Sequence, residues 1–211
     1  MNHRFPDEEF VRLKRMMLRY EWGQKILLTK LDIIHEDFIR FQSNNPIESI
    51  RSRMKAPESI AEKLWDMKLD CTVENAREHI KDIAGIRIIC TFAKDISALA
   101  RLLRAMPDTK VLSEKDYVGY PKPSGYRGYH FIMEVPVYHS ENVEYVPVEV
   151  QIRTAAMHFW ATMEHKVKYK YKEHIPQHLS DELVICAEKI AELDDRMFMI
   201  HDIISLLNND S

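Results

Sequence analysis

The stretch VPVEVQIRTAAMHFWATMEHKVKYK, Val146–Lys170, decides how this chain is read. Val146, Val148, Val150 and Ile152 alternate with Pro147, Glu149 and Gln151, the period-2 pattern of a strand with one apolar face. Thr154 then offers a hydroxyl as a helix cap, and good helix formers follow from Ala155 to Glu164. Glu149, Gln151 and Arg153 therefore project from one side of a strand, beside a helix start. A carboxylate, an amide and a guanidinium so placed make either a solvated edge or one wall of a site for a charged, hydroxyl-bearing substrate.

Outward from this stretch, the pattern is helical at both ends and mixed between. Pro6 and the acidic run Asp7–Glu9 open a helix. Phe10, Leu13, Met17, Tyr20, Gln24, Leu27, Leu31, Ile34, Phe38 and Phe41 then recur at steps of three and four, with Gly23 and Gln24 as the weak point. From a Ser180 cap, a second seam runs through Leu183, Cys186, Ile190, Leu193, Met197, Ile200, Ile204 and Leu207. Stripes this narrow favour coiled-coil-like pairing and an oligomer, although packing on the core or on each other is the alternative. Ile47 to Met67 reads as a basic helix interrupted by Pro57, and Thr72 caps a short helix through Ile80. Ile83–Phe92 is a buried strand, Asp95 to Met106 a helix and Lys110 to Val118 a strand. Tyr129–Val137 and Val143–Ile152 pair as a hairpin around His139–Asn142. This order predicts a single α+β domain with long terminal helices. Its divisions fall at 1–45 (packing or oligomerisation helix), 46–176 (core) and 177–211 (heptad helix).

Composition narrows the function. The chain has 211 residues, 45% of them hydrophobic and 30% charged, with a net charge of −3. That balance fits a soluble protein and argues against a broad basic face for nucleic acid. No apolar run is long enough to cross a membrane, and the N-terminus lacks a signal-peptide core. Cys71, Cys90 and Cys186 form no CxxC pair, which fits a reducing, cytoplasmic setting.

Chemistry concentrates in three places. Asp82 stands at the entrance of a buried strand. If that strand neighbours Val146–Ile152, Asp82 and Glu149 come together. Two carboxylates about 4 Å apart repel by about 4 kcal/mol at an effective dielectric near 20, so a cation or proton between them is needed. The loop KDYVGYPKPSGYRGYH, Lys115–His130, interleaves Lys115, Lys122 and Arg127 with four tyrosines. Cations and flat rings together suit a nucleotide. The Lys/Tyr tract at 166–172 repeats the composition more weakly.

Together, IKDIAGIR (Ile80–Arg87), DYVGYPKPSGYRGYH (Asp116–His130) and VEVQIRTAAMHFWATMEHKVKYK (Val148–Lys170) resemble the synthetase domain of the RelA/SpoT family. The chain's single domain is similar to the small alarmone synthetases. The resemblance extends through Asn45–Leu64 and implies a nucleotidyltransferase-like mixed β-sheet flanked by helices. It also implies a cytoplasmic enzyme that moves the β,γ-pyrophosphate of ATP onto the 3′-hydroxyl of GDP or GTP, with GMP a further candidate acceptor, to make (p)ppGpp and AMP.

By the same resemblance, Asp82 is the Mg²⁺-binding acid, shared as a metal ligand with Glu149. Glu149 also orients and helps deprotonate the hydroxyl. Arg53 and Arg87 hold adenine between them, with Lys55 and Lys63 on the ATP side. Tyr126 stacks on guanine, and Lys115, Lys122, Arg127, His130, Gln151 and His165 contact the acceptor or its phosphates. His158 falls where relatives vary. A hydrolase domain and ribosome-sensing domains are not expected, and a homotetramer built through the terminal helices is. The rivals are pyrophosphate transfer to a tRNA 3′ end, with RNA contacted through 166–172, and a catalytically silent RNA-binding oligomer.

Overall fold

The computed structural model describes residues 4–42, 44–170 and 175–209. Five strands form one mixed sheet: β1 (Ile47–Met54), β2 (Ala84–Cys90), β3 (Lys110–Asp116), β4 (Tyr129–Tyr138) and β5 (Val143–Thr154). Their spatial order is β1-β2-β5-β4-β3, parallel only between β2 and β5. The strand of the opening stretch is thus the centre of the sheet. Val146, Val148, Val150 and Ile152 are buried with Phe131, Met133 and Val135 of β4 and Ile86 and Ile88 of β2. The mixed α+β architecture with long terminal helices is the one expected.

That apolar face is covered by α1 (Asp7–Phe41), which contacts β1, β2, β4 and β5. Its stripe of Leu13, Met16, Tyr20, Leu27 and Leu31 is buried inside the protomer. The first seam therefore packs on the sheet. Gly23 and Gln24 are where the helix comes nearest the sheet. A Cβ added to Gly23 would stand 2.2 Å from Val146 Cγ2. Gln24, 5% exposed, donates its amide to the carbonyls of Arg53 at 2.8 Å and Gly85 at 2.9 Å. A valine at 23 must push α1 off β5, and overpacking of this kind costs about 1–3 kcal/mol. Gly23→Val should accordingly lower the urea midpoint with little change in m-value; an unchanged midpoint would mean the helix can slide without loss.

The region 47–67 departs from the helical reading. Ile47–Met54 is strand β1, and α2 (Pro57–Asp66) follows with Pro57 in its first turn. Ile47, Ile50 and Met54 are spaced three and four apart, like one helix face. A register irregularity between Ile47 and Ser49 produces that spacing in a strand, because it turns Ile47 to the side of Ile50 and Met54. Beyond it, Ser49, Arg51 and Arg53 share the opposite face.

The remaining helices are α3 (Val73–His79), α4 (Ala93–Ala105), α5 (Ala155–Lys170) and α6 (Gln177–Asn209). Thr72 caps α3 by accepting from Asn75 N, and Thr154 caps α5 by accepting from Met157 N. α6 begins three residues before the expected Ser180. The Pro176 carbonyl accepts from Leu179 N and Ser180 N, and a proline with no N–H to satisfy sits well at such a start.

A second small core joins α5, α6 and the loop before β4: Tyr126, Trp160, Ala161 and Ala187, with Leu183 and Ile190 against them. Trp160 donates to Leu183 O at 2.8 Å, and Thr154 donates to Asp194 at 2.5 Å. Gly125 has φ +86°, and an added Cβ would be 2.7 Å from Ala187 Cβ, so only glycine lets the loop dock there. Farther along α6, Leu193, Met197, Ile200, Ile203, Ile204, Leu206 and Leu207 are all more than half exposed.

Candidate active site

The strand register sets the polar face of the sheet in rows. Arg51 pairs with Arg87, Arg87 with Gln151, Gln151 with His130 and His130 with Lys115, one residue from each strand. The next row runs Arg53, Gly85, Glu149, Ile132, Ser113. Glu149 thus lies at the middle of a face that is otherwise strongly cationic.

Two cavities open on this face. One, of about 210 Å³, is lined by Arg51, Arg53, Gly85, Arg87, Glu149 and Gln151. The other, of about 390 Å³, is lined by Lys63, His79, Lys81, Asp82, Ser113, Lys115, Tyr117, Lys122, His130 and Glu149 among others. Glu149 belongs to both.

Asp82 lies between α3 and β2. It accepts from Lys55 Nζ at 2.6 Å and from Lys63 Nζ at 2.9 Å. Burial pushes its carboxyl upward, and the two ammonium groups together outweigh that and hold it below the usual range. Glu149 accepts from Gln151 Nε2 at 2.8 Å and lies 3.4 Å from His130 Nδ1. Burial again pushes upward, with the Asp82 charge a smaller push in the same direction. His130 first and Gln151 second bring Glu149 below the usual carboxylate range. A carboxylate can only accept, so Nδ1 of His130 carries the hydrogen. In the neutral ring Nε2 then accepts from the Tyr126 hydroxyl, 2.5 Å away.

The arginine cavity sets three guanidinium groups, of Arg51, Arg53 and Arg87, against a single carboxylate, Glu149. Burial lowers the Arg87 guanidinium, followed by its neighbours Arg153 and Arg53, and its buried Nε has no hydrogen-bond partner. His158 of α5 is lowered likewise by burial and by Arg87, Arg153 and Arg51, and its Nδ1 is unpartnered. Delocalised, always-charged guanidinium planes in such a setting suit an aromatic base with phosphates.

The sequence-predicted residues divide as follows. Arg53 and Arg87 line the smaller cavity, as does Gln151, which had been assigned to the acceptor. Lys55 and Lys63 hold Asp82, and Lys63 faces the larger cavity with Lys115, Lys122 and His130. Tyr126 is only 9% exposed, with the cations of Lys122 and Arg153 over its ring at 4.9 and 4.8 Å. Arg127 turns away and donates to Val118 O at 2.9 Å. His165 is exposed on α5 and lines neither cavity. In the Lys/Tyr tract, residues 171 and 172 lie outside the described residues, as do the side chains of 168–170. Sequence reasoning missed Arg51, His79, Lys81 and Ser113 as cavity-lining residues. Only Arg51 left a signal, its two-residue spacing from Arg53, which the helical reading hid.

A sheet face whose arginine cavity and lysine cavity share one carboxylate, Glu149, with a second, Asp82, in the lysine cavity, suits polyphosphate chemistry. Residues 52–174, more than half of the chain, match the region found in RelA / SpoT proteins. The chain is 43% identical to the GTP pyrophosphokinase YwaC of Bacillus subtilis over 187 residues, 89% of each sequence. It superposes on the small alarmone synthetase 1 of Bacillus subtilis bound to its product pppGpp with a TM-score of 0.84 and 34% identity, covering 92% of this chain and 98% of that one. Against that synthetase bound to AMPCPP the TM-score is 0.77 at 30% identity, with the same coverage. The chain belongs to the RelA/SpoT family.

Proposed function

We propose that this chain is a GTP/GDP diphosphokinase. The 3′-hydroxyl oxygen of GDP or GTP attacks the β-phosphorus of ATP, the bond from that phosphorus to the α,β-bridging oxygen breaks, AMP leaves, and Glu149 takes the hydroxyl proton. The observation that carries this reading is Glu149's place in the wall common to both cavities. A base so placed can reach an acceptor on one side and a donor on the other. Adenine is assigned to the smaller cavity between Arg53 and Arg87, and the acceptor to the larger one. Relatives of this chain are named GTP pyrophosphokinase, and a similar structure holds pppGpp. The comparisons lend no support to tRNA as acceptor or to a silent RNA-binding oligomer.

Mg²⁺ fits the residues present. Among the described residues no group of three or more His, Cys, Asp or Glu side chains is arranged to hold a metal. Magnesium in phosphoryl-transfer sites, however, takes one or two carboxylates together with substrate phosphates. Asp82 and Glu149 supply hard oxygen donors, and their mutual repulsion favours a cation between them. When bound there, Mg²⁺ would neutralise charge on the transferring phosphates. Lys63, Lys115 and Lys122 line the acceptor cavity and offset the repulsion between two polyphosphates.

Among the described residues no helix is long and apolar enough to cross a membrane. We place the protein in the cytoplasm, where its three thiols would stay reduced. We also assign the exposed apolar stretch of α6 to a homotetramer contact.

The decisive test supplies γ-labelled ATP and Mg²⁺ with GMP, GDP or GTP and separates products by anion exchange. Label on a guanine nucleotide with equal AMP is expected; release of label as inorganic phosphate alone would sink the proposal. Arg87→Ala should raise the KM for ATP about tenfold, the scale of a lost cation–π contact, and leave the acceptor KM near wild type. An equal rise in both would move adenine out of the arginine cavity.

A further inference from the structure

Arg153 enters neither cavity, yet five side chains close into a ring through it. Its NH2 group donates to Gln151 Oε1 at 2.7 Å, and Gln151 donates to Glu149. Glu149 faces His130, His130 meets the Tyr126 hydroxyl, and the Arg153 guanidinium returns over the Tyr126 ring at 4.8 Å. An arginine can only donate, so its contact fixes the Gln151 amide with oxygen toward Arg153 and nitrogen toward Glu149. The backbone makes room for this ring. A Cβ on Gly128 would come within 3.0 Å of Tyr126 Oη and 3.2 Å of Arg153 Cγ.

The two cations over Tyr126 are not equivalent. Lys122 sits on an exposed loop and also lies over Tyr117 at 4.6 Å. Arg153 is 7% exposed and held by Gln151. A planar base arriving at Tyr126 can displace the exposed lysine, whose ammonium regains water, far more readily than the buried guanidinium.

We propose that Arg153 is a positioning residue for the acceptor: one guanidinium backs the Tyr126 ring and orients the Gln151 amide beside Glu149, so that base stacking and hydroxyl attack share one support. This rests on the assignment of the acceptor to the larger cavity, whose lining residues Lys122 and His130 both contact Tyr126. Arg153 lies over the Tyr126 ring and donates to the Gln151 oxygen, and a lysine cannot replace it fully. An ammonium can donate to Gln151 but has no flat face to lay on the tyrosine.

The test compares wild type, Arg153→Met and Arg153→Lys. It uses GDP binding by calorimetry without ATP, and steady-state KM and kcat for both substrates. Arg153→Met should weaken GDP binding and raise the acceptor KM about tenfold, lower kcat about tenfold, and leave the KM for ATP within about twofold. Arg153→Lys should recover much of kcat while acceptor binding stays weak. Melting curves and oligomer size identify any variant that has merely unfolded, and Arg153→Lys then stands alone. Unchanged GDP binding in folded variants, or equal changes in both KM values, would overturn the proposal. Wild type that binds GDP but forms no tetra- or pentaphosphate would reject the pyrophosphokinase reading while the binding arm still judged Arg153. Wild type that fails to bind GDP would reject both.

Discussion

Glu149→Gln should reduce pyrophosphate transfer by about 10²–10⁴-fold, the range of a lost general base, while leaving the fold and the KM for ATP in place. Glutamine keeps the shape and one acceptor oxygen, so it can still meet one of its two donors, Gln151 or His130, but it cannot take a proton. The neighbours of Glu149 make the loss specific. His130 and Gln151 hold the carboxyl below its ordinary range against the upward push of burial, so it stays ionised at neutral and mildly acidic pH. The sign follows: wild-type activity should persist as pH falls toward the usual carboxylate range and decline only below it. Single-turnover measurements on the variant separate chemistry from product release. Near-wild-type turnover would mean that another group, with His130 the nearest, takes the proton.

Asp82→Asn should cost at least about 100-fold in kcat/KM, on the scale of removing one preorganised electrostatic partner, and excess Mg²⁺ should restore little of it. Asparagine offers an oxygen to only one of Lys55 and Lys63, and no charge to either. Stability should move far less. Lys63 is 38% exposed along its side chain, and solvent screens its half of the interaction. Thermal melting beside the kinetics tells the two roles apart: a variant that melts much earlier and regains activity on cooling would make Asp82 structural first.

These residues were legible in the sequence to different degrees. β5 could be read directly, because strict alternation of valines with polar residues survives only where one face is buried. Glu149 therefore had a definite side before any fold was known. Arg53 was paired with Arg87 through family resemblance but in the wrong secondary structure, since a single register irregularity in β1 imitates helical spacing. The α1 stripe looked like a coiled-coil seam because burial against a flat sheet also needs only a narrow stripe. Gly23 and Gln24, which weaken such a seam, are the residues the sheet requires at close approach. Arg153 was visible as a third polar residue on β5, but its partners Tyr126 and Gln151 meet it only through folding of the loop at Gly125 and Gly128. No local pattern records that meeting.

The paired lysines on Asp82 also mean that its charge is compensated by the chain's own side chains. A carboxylate half sunk in protein needs a compensating partner if it is not to weaken the fold. Here two ammonium groups supply it. Chelation should therefore silence the enzyme without melting it, with EDTA abolishing turnover and leaving the thermal midpoint where it was. The fold would then draw its stability at Asp82 from its own lysines, and the proposed ion would serve the chemistry alone.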